Sequence, residues 1–233
     1  MATTARKPAS STLPPLSDDD IHQRLIEAIV DQRLVPGTKL GEDKLGQAFG
    51  VSRTRIRQVL IRLAQEQVVT LQPNKGASIA EPSVDEAREV FEARVVVESV
   101  LVRRFAERAK AGDLKALADC IAEEEAARRS GDAAMALRHS GRFHLLLADA
   151  AAHQTFAGFL RRLVSRTSLI LMSYAPAEGA RTAGPRWVQV CRCEEHRGLL
   201  AALRKASRGR DEETVGEAVS LMRSHLAHIE ASL

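Results

Sequence analysis

One stretch of this 233-residue chain carries a pattern suited to strands, and that limits the fold more than any other feature. Val68-Val69-Thr70-Leu71 and Ala77-Ser78-Ile79-Ala80 are short β-prone runs, and Pro73-Asn74-Lys75-Gly76 between them supplies turn chemistry. Elsewhere beyond residue 17 the apolar residues recur at helical spacing. A lone hairpin is marginal in water. The chain is therefore expected to be mainly α, with a small hairpin packed on helices.

Residues 16–81 read as one domain. Asp18 or Asp19 is expected to cap a helix carrying Ile21, Leu25, Ile26, Ile29 and Val30, and Pro36-Gly37 ends that segment. A short helix with Leu45, Ala48 and Phe49 follows, and Gly50 breaks it. Ser52 is a good cap for a third helix to about Gln67, whose buried side is Ile56, Val59, Leu60 and Leu63. Helix, helix, tight glycine turn, helix, hairpin is the order of a winged helix-turn-helix. The third helix opens Ser52-Arg53-Thr54-Arg55-Ile56-Arg57, placing hydroxyls and three arginines in its first turns. Arginine can hold guanine O6/N7 in a fork, and hydroxyls and helix-end amides can hold phosphate. At the hairpin tip, Asn74, Lys75 and Gly76 let a wing approach the DNA backbone or minor groove. The plain alternative is a solvated charged face. It loses weight because the basic turn follows a glycine break, is capped by Ser52, and precedes a wing.

Glu81-Pro82-Ser83 punctuates the chain, and residues 82–233 form the second expected domain. Helical patterns run roughly over 83–111, 114–130, 132–152, 154–173, 187–207 and 211–231, an all-helical bundle of about six helices. Gly112-Asp113, Gly131-Asp132, the stretch 175–185 and Gly209 supply the breaks. Aromatics are 3% of residues, so Leu, Val, Ile and Ala must fill the core. Residues 1–15 are rich in Ser, Thr and Pro and read as a disordered tail rather than a signal peptide. No apolar run approaches the roughly 20 residues a bilayer span needs. With three cysteines and no signal peptide, a disulfide framework is not expected and a cytoplasmic location is.

His144, His196 and His225 fall on three different expected helices, each among apolar neighbours. A lone histidine on an apolar face is usually a satisfied core residue. Three on facing helices of one bundle can converge, and neutral imidazoles suit Zn, Ni, Cu or Fe. Arg94 lies one turn before Glu98; it either pairs with it or clamps a carboxylate inside the bundle. Arg166 and Ser168 on the fourth effector helix are candidates to line the same cavity. Trp187 is a candidate lid, His139 and His228 read as surface residues, and Cys193, one turn before His196, is a conceivable thiolate ligand.

The stretch PGTKLGEDKLGQAFGVSRTRIRQVLIRLAQEQVVTLQPNKGASIA resembles the DNA-binding domain of the GntR superfamily, whose third helix usually reads Ser-Arg-Thr-Pro-Val-Arg-Glu-Ala-Leu. The resemblance implies DNA contacts from Arg53, Thr54, Arg57 and Gly76, with Ser52 at a phosphate. Arg55 stands where the family commonly has Pro and offers an added phosphate contact or an altered base preference; Gln58 stands in place of Glu, and Asp43 where some members carry a DNA-contacting Arg. EARVVVE, FHLLLADAA, EEHRGLLAAL and MRSHL resemble the all-helical FCD effector domain of the FadR branch, with six helices favouring the VanR-like subgroup. That implies a divalent transition metal, such as Zn or Ni, on His144, His196 and His225. The pattern has an Asp one turn before the first histidine; this chain has Ser140. His153 replaces a common Asn.

The expectation is a homodimeric, ligand-responsive DNA-binding regulator. It is read as a repressor released from a palindromic operator by a small organic acid held by Arg94, Ser140, Arg166 and Ser168. A metal-free pocket for a non-carboxylate ligand is the alternative, and a constitutive DNA-binding protein without an effector is a separate class. A metal-dependent enzyme is less expected than the ligand-responsive readings, because His-Glu-x-x-His, a nucleophile elbow and a phosphate loop are all missing.

Overall fold

The computed structural model describes residues 16–174 and 193–233. The expected tail 1–15, Trp187 and the start of the helix expected from 187 lie outside the described residues.

The first lobe comprises α1 (Asp18–Val30), β1 (Lys39–Leu40), α2 (Glu42–Phe49), α3 (Arg53–Gln65), β2 (Val69–Gln72) and β3 (Gly76–Ile79). Ser17, not Asp18 or Asp19, caps α1: its Oγ accepts from the Asp20 amide at 3.1 Å, and Asp20 reaches back to the Ser17 amide at 2.8 Å. The three aspartates instead occupy the first turn, where they favour the positive end of the helix. Ile21, Leu25 and Ile29 of α1 pack on Ile56, Val59, Leu60 and Leu63 of α3, and Leu40, Val69, Ala77 and Ile79 close the core from the sheet. The sheet has three strands in the order β1-β3-β2, all antiparallel neighbours. β1 goes beyond the expected hairpin: two residues carry no periodicity, yet Lys39 pairs with Ser78 and Leu40 with Ala77. At the wing tip Asn74 (φ 61°) and Gly76 (φ 78°) take the left-handed conformations the turn demands.

The second lobe comprises α4 (Val84–Arg108), α5 (Ala111–Arg129), α6 (Ala133–Ala150), α7 (Gln154–Ser173), α8 (Cys193–Gly209) and α9 (Glu212–Glu230). Its core runs through Phe91, Leu101, Phe105, Leu117, Phe143, Leu147, Leu160, Leu203 and Leu226. The α4–α5 break falls at Ala109-Lys110, not at Gly112-Asp113. Asp113 accepts from the Lys110 amide at 2.8 Å, so it marks the third position of a helix start rather than a gap. His153 caps α7, its Nδ1 accepting from the Phe156 amide at 3.3 Å.

The lobes touch through α6 and α7. Arg138 of α6 donates to Asp31, just past α1, at 2.8 Å. Leu169 of α7 is fully buried in the first lobe's core. Tyr174 donates its hydroxyl to the Pro82 carbonyl at 2.9 Å.

Candidate functional site

Two faces carry chemistry. The first lies where α3 meets the wing. Ser52 begins α3, its Oγ accepting from the Arg55 amide at 3.4 Å. Arg53, Thr54 and Arg57 project from the exposed side of α3, and Lys75 and Gly76 sit at the exposed wing tip. Arg53, Arg57, Lys75 and Gly76 line one groove. Arg53 donates Nε to Glu42 at 2.6 Å and lies 3.7 Å from Asp43, but its side chain is 66% exposed. Pairs so open to water contribute little, and a phosphate can replace them.

Arg55 departs from expectation. Its Nε and Nη2 donate to Asp18 at 2.8 and 2.6 Å, and Nη2 also donates to the Leu16 carbonyl at 2.7 Å. Positions 55 and 62 are two turns apart on the edge of α3 that faces the acidic start of α1, and Arg62 bonds Asp19. Arg55 therefore ties the start of α3 to the start of α1.

The second face lies inside the helical lobe. His144 (α6), His196 (α8) and His225 (α9) are all buried, with ring centroids 4.7–5.5 Å apart. One nitrogen from each falls within 4.8 Å of the other two. Every ring is oriented by a carboxylate on another helix. Nδ1 of His144 lies 2.5 Å from Glu98, Nδ1 of His196 lies 2.7 Å from Glu124, and Nδ1 of His225 lies 2.7 Å from Glu195. If each Nδ1 carries the proton it donates to its glutamate, each Nε2 keeps its lone pair. Nε2 of His196 and of His225 is buried without a hydrogen-bond partner. Buried orphan nitrogens are rare. These rings, each with a carboxylate behind it, fit a divalent transition metal, since metal-bound histidines commonly give their other N–H to such a group.

Electrostatics keep two of the rings, those of His144 and His225, neutral. Burial pushes His144 down to about 4 and His225 down to about 3, against the opposing pull of their glutamates. Burial works to raise Glu98, but Arg94 and His144 outweigh it and hold the carboxyl down at about 2.

Beside His144 is a cavity lined by Arg94, Ser140, Thr167 and Ser168 among apolar side chains. Its volume is about 20 Å³, room for about one water. Arg94 is 3% exposed, donating Nε to Glu98 at 2.7 Å and Nη1 to Thr167 at 3.4 Å. Its Nη2 is buried without a partner. Arg94 therefore pairs with Glu98, lines the cavity, and keeps one guanidinium nitrogen without a partner. Arg166 does not line this cavity. One position before Thr167 turns it about 100° around α7, where it bonds Gln67 and lies 3.4 Å from Glu86. His228 is exposed and pairs with Glu195 at 2.8 Å, as a surface histidine does. His139 is partly buried against α5, and Cys193 lies outside the three-histidine group.

Thr167 and the glutamates behind the histidines were not singled out from sequence as parts of this site. A signal existed for Glu124: it continues the buried stripe Leu117, Cys120, Ile121 and Ala127 of α5, where an apolar residue belongs.

An exposed basic helix and wing, joined to a helical lobe with a buried histidine cluster and cavity, define a winged helix-turn-helix protein with an all-helical second domain. Residues 18–79 match the family described as bacterial regulatory proteins, gntR family, and residues 89–228 match the FCD domain. The chain belongs to the GntR family and carries an FCD effector domain. It is similar to the uncharacterized HTH-type transcriptional regulator YdhC of Bacillus subtilis, 26% identical over 129 residues, covering 55% of this chain and 58% of that protein. The HTH-type transcriptional repressor RspR of Escherichia coli is 29% identical over 89 residues, covering 38% of this chain and 39% of that protein. The gluconate operon transcriptional repressor of Bacillus licheniformis is 32% identical over 86 residues, covering 37% and 33%. The matched stretches thus span between a third and three fifths of these relatives' own lengths. Among solved structures, E. coli McbR/YncC shares the fold at a TM-score of 0.72 and 19% identity, covering 91% of this chain and 96% of that one. The three relatives compared by sequence are named as transcriptional regulators or repressors. No helix among the described residues is long and apolar enough to cross a membrane.

Proposed function

We propose that the chain is a cytoplasmic, homodimeric repressor that leaves a palindromic operator when a small organic acid enters the helical lobe. Residues 16–81 form the DNA-binding domain, and residues 82–233 the effector and dimerisation domain. Ser52, Arg53, Thr54 and Arg57 enter the major groove, and Lys75 and Gly76 touch the backbone beside it. Two relatives named as repressors support the direction of control.

The observation that carries the sensing role is the convergence of three carboxylate-backed histidines beside a cavity that holds an unpartnered guanidinium nitrogen. His144, His196 and His225 would hold a divalent transition metal, which when bound supplies a Lewis-acidic anchor for a carboxylate oxygen. Arg94 Nη2 donates to the same carboxylate, and Ser140, Thr167 and Ser168 position the rest of the acid. An acid larger than one water can enter only if the cavity expands. Its walls are α4, α6, α7 and the end of α9, and α6 and α7 also grip the DNA-binding domain. The acid then favours the arrangement with the wider cavity, by as much as its affinities for the two differ.

The test follows operator fragments by fluorescence anisotropy while small mono- and dicarboxylates are titrated. Release by at least one acid, lost in Arg94→Ala, is expected. Operator affinity that no acid alters would overturn the carboxylate reading. A metal-free pocket is the second reading, favoured by Ser140, a neutral group one turn from His144. Elemental analysis of untagged protein beside His144→Ala separates the two: a near-stoichiometric metal lost in the variant supports the first, and none supports the second.

A further inference from the structure

We infer that Cys120, Glu123 and His139 form a second metal site, for a divalent ion of zinc's character, gripped between α5 and α6 and separate from the three histidines. Cys120 and Glu123 are three residues apart on one face of α5, and His139 meets them from α6. Sγ, a carboxylate oxygen and Nδ1 all lie within 4.8 Å of one another. Nδ1 of His139 is buried and makes no hydrogen bond. Glu123 Oε2 is 3.2 Å away but out of line for one. Thiolate, imidazole and carboxylate are zinc's usual protein donors, and three of them leave one position for water. That water has a route in, because His139 and Arg142 line the groove between α1 and α6.

Occupancy requires two changes that the surroundings allow. The Cys120 thiol now donates to the His139 carbonyl at 3.2 Å, and burial pushes it up to about 11. It is therefore protonated without metal, and the incoming cation displaces one proton to solvent as the S–metal bond forms. Arg142 now donates to Glu123 at 2.7 Å. Its side chain is 54% exposed, so it can release the carboxylate and swing into water. The bound ion would cross-link α5 to the turn of α6 that also bears Arg138, the residue bonded to Asp31 of the DNA-binding lobe. The site would thus stiffen one of the two helices through which the lobes communicate. None of this depends on metal at the three histidines.

Cobalt titration of the full-length protein tests it, because thiolate–cobalt bonds give a near-ultraviolet charge-transfer band that nitrogen ligands alone do not. We expect cobalt in excess over both sites to produce that band in the wild type, in His144→Ala and in the double variant Cys191→Ala/Cys193→Ala. It should vanish in Cys120→Ala and in His139→Ala, the second variant changing a partly exposed residue in case the first fails to fold. No band in the wild type, a band that survives in a folded Cys120→Ala or His139→Ala, or one lost in His144→Ala or in the double variant would overturn the site.

Discussion

At each buried histidine a glutamate decides what the ring can do. Glu195 serves two rings, accepting from His225 and His228 on separate oxygens at 2.7 and 2.8 Å. Its side chain is 23% exposed, so removing its charge leaves no stranded cation in the core. Glu195→Gln should keep the fold and weaken metal binding about 10–100-fold, measured by competition with a chromogenic chelator. Unchanged affinity would remove His225 from the ligand set. The same burial makes the metal-free protein acid-labile. His144 and His225 are lowered by burial to about 4 and about 3, against about 6.5 when unfolded. Below pH 6.5 the unfolded chain binds more protons than the native one, so stability is full above that value and falls toward pH 4. At pH 5 the loss is about 2 kcal/mol per ring, or a drop in Tm of about 4–8 °C. Melting curves of chelator-treated protein at pH 7.5 and 5 check this, and coincident curves would contradict the neutral-ring assignment. His144 and His225 were readable as candidates because a histidine inside an apolar stripe stands out. Their glutamates lie on other helices, and a single sequence does not say which helices face each other.

Among the elements, the turn joining α2 to α3 has the tightest backbone approach relevant to the DNA face. A Cβ on Gly46 would sit 3.0 Å from the Val51 carbonyl oxygen, one residue before the cap of α3. The Val51 amide also donates to the Gly46 carbonyl at 3.0 Å, so the turn cannot open freely. Gly46→Ala should therefore cost about 1–3 kcal/mol as α3 is pushed from its seat. Gly216, inside α9, has nothing within 4 Å of its would-be Cβ. Gly216→Ala should gain about 1 kcal/mol from helix propensity. Urea denaturation of the pair provides the comparison; equal effects would mean that the close approach carries no energy. The sequence showed the break at Gly50 because a glycine at a helix end is a local signal. It did not show why Gly46 is glycine, since the contact spans the turn. β1 escaped for a related reason: its two residues owe their strand geometry to partners at 77 and 78. Arg55 turns toward Asp18 and Arg166 falls outside the cavity lining because one residue rotates a side chain about 100° around a helix.

For the whole molecule, the cavity beside His144 and the first lobe share two helices. On α6, Ser140 and His144 face the cavity while Arg138 holds Asp31. On α7, Thr167 and Ser168 face the cavity while Arg166 holds Gln67, at the turn between α3 and β2, and Leu169 fills the first lobe's core. Motion that widens the cavity therefore pulls on the lobe carrying α3 and the wing. A coupling of this kind is a free energy between two sites and can be removed without harming either. Arg138→Ala and Arg166→Ala touch neither the DNA face nor the cavity lining. Each should leave operator affinity without effector, and effector affinity without DNA, within about twofold. Each should shrink the effector's influence on operator binding by about 0.5–2 kcal/mol, or roughly 2–30-fold in the ratio of the two dissociation constants. Anisotropy titrations with and without saturating acid give that ratio. An undiminished ratio in both variants would mean that the signal passes elsewhere, with α4 the next candidate because it bears Arg94 and leads directly from the wing.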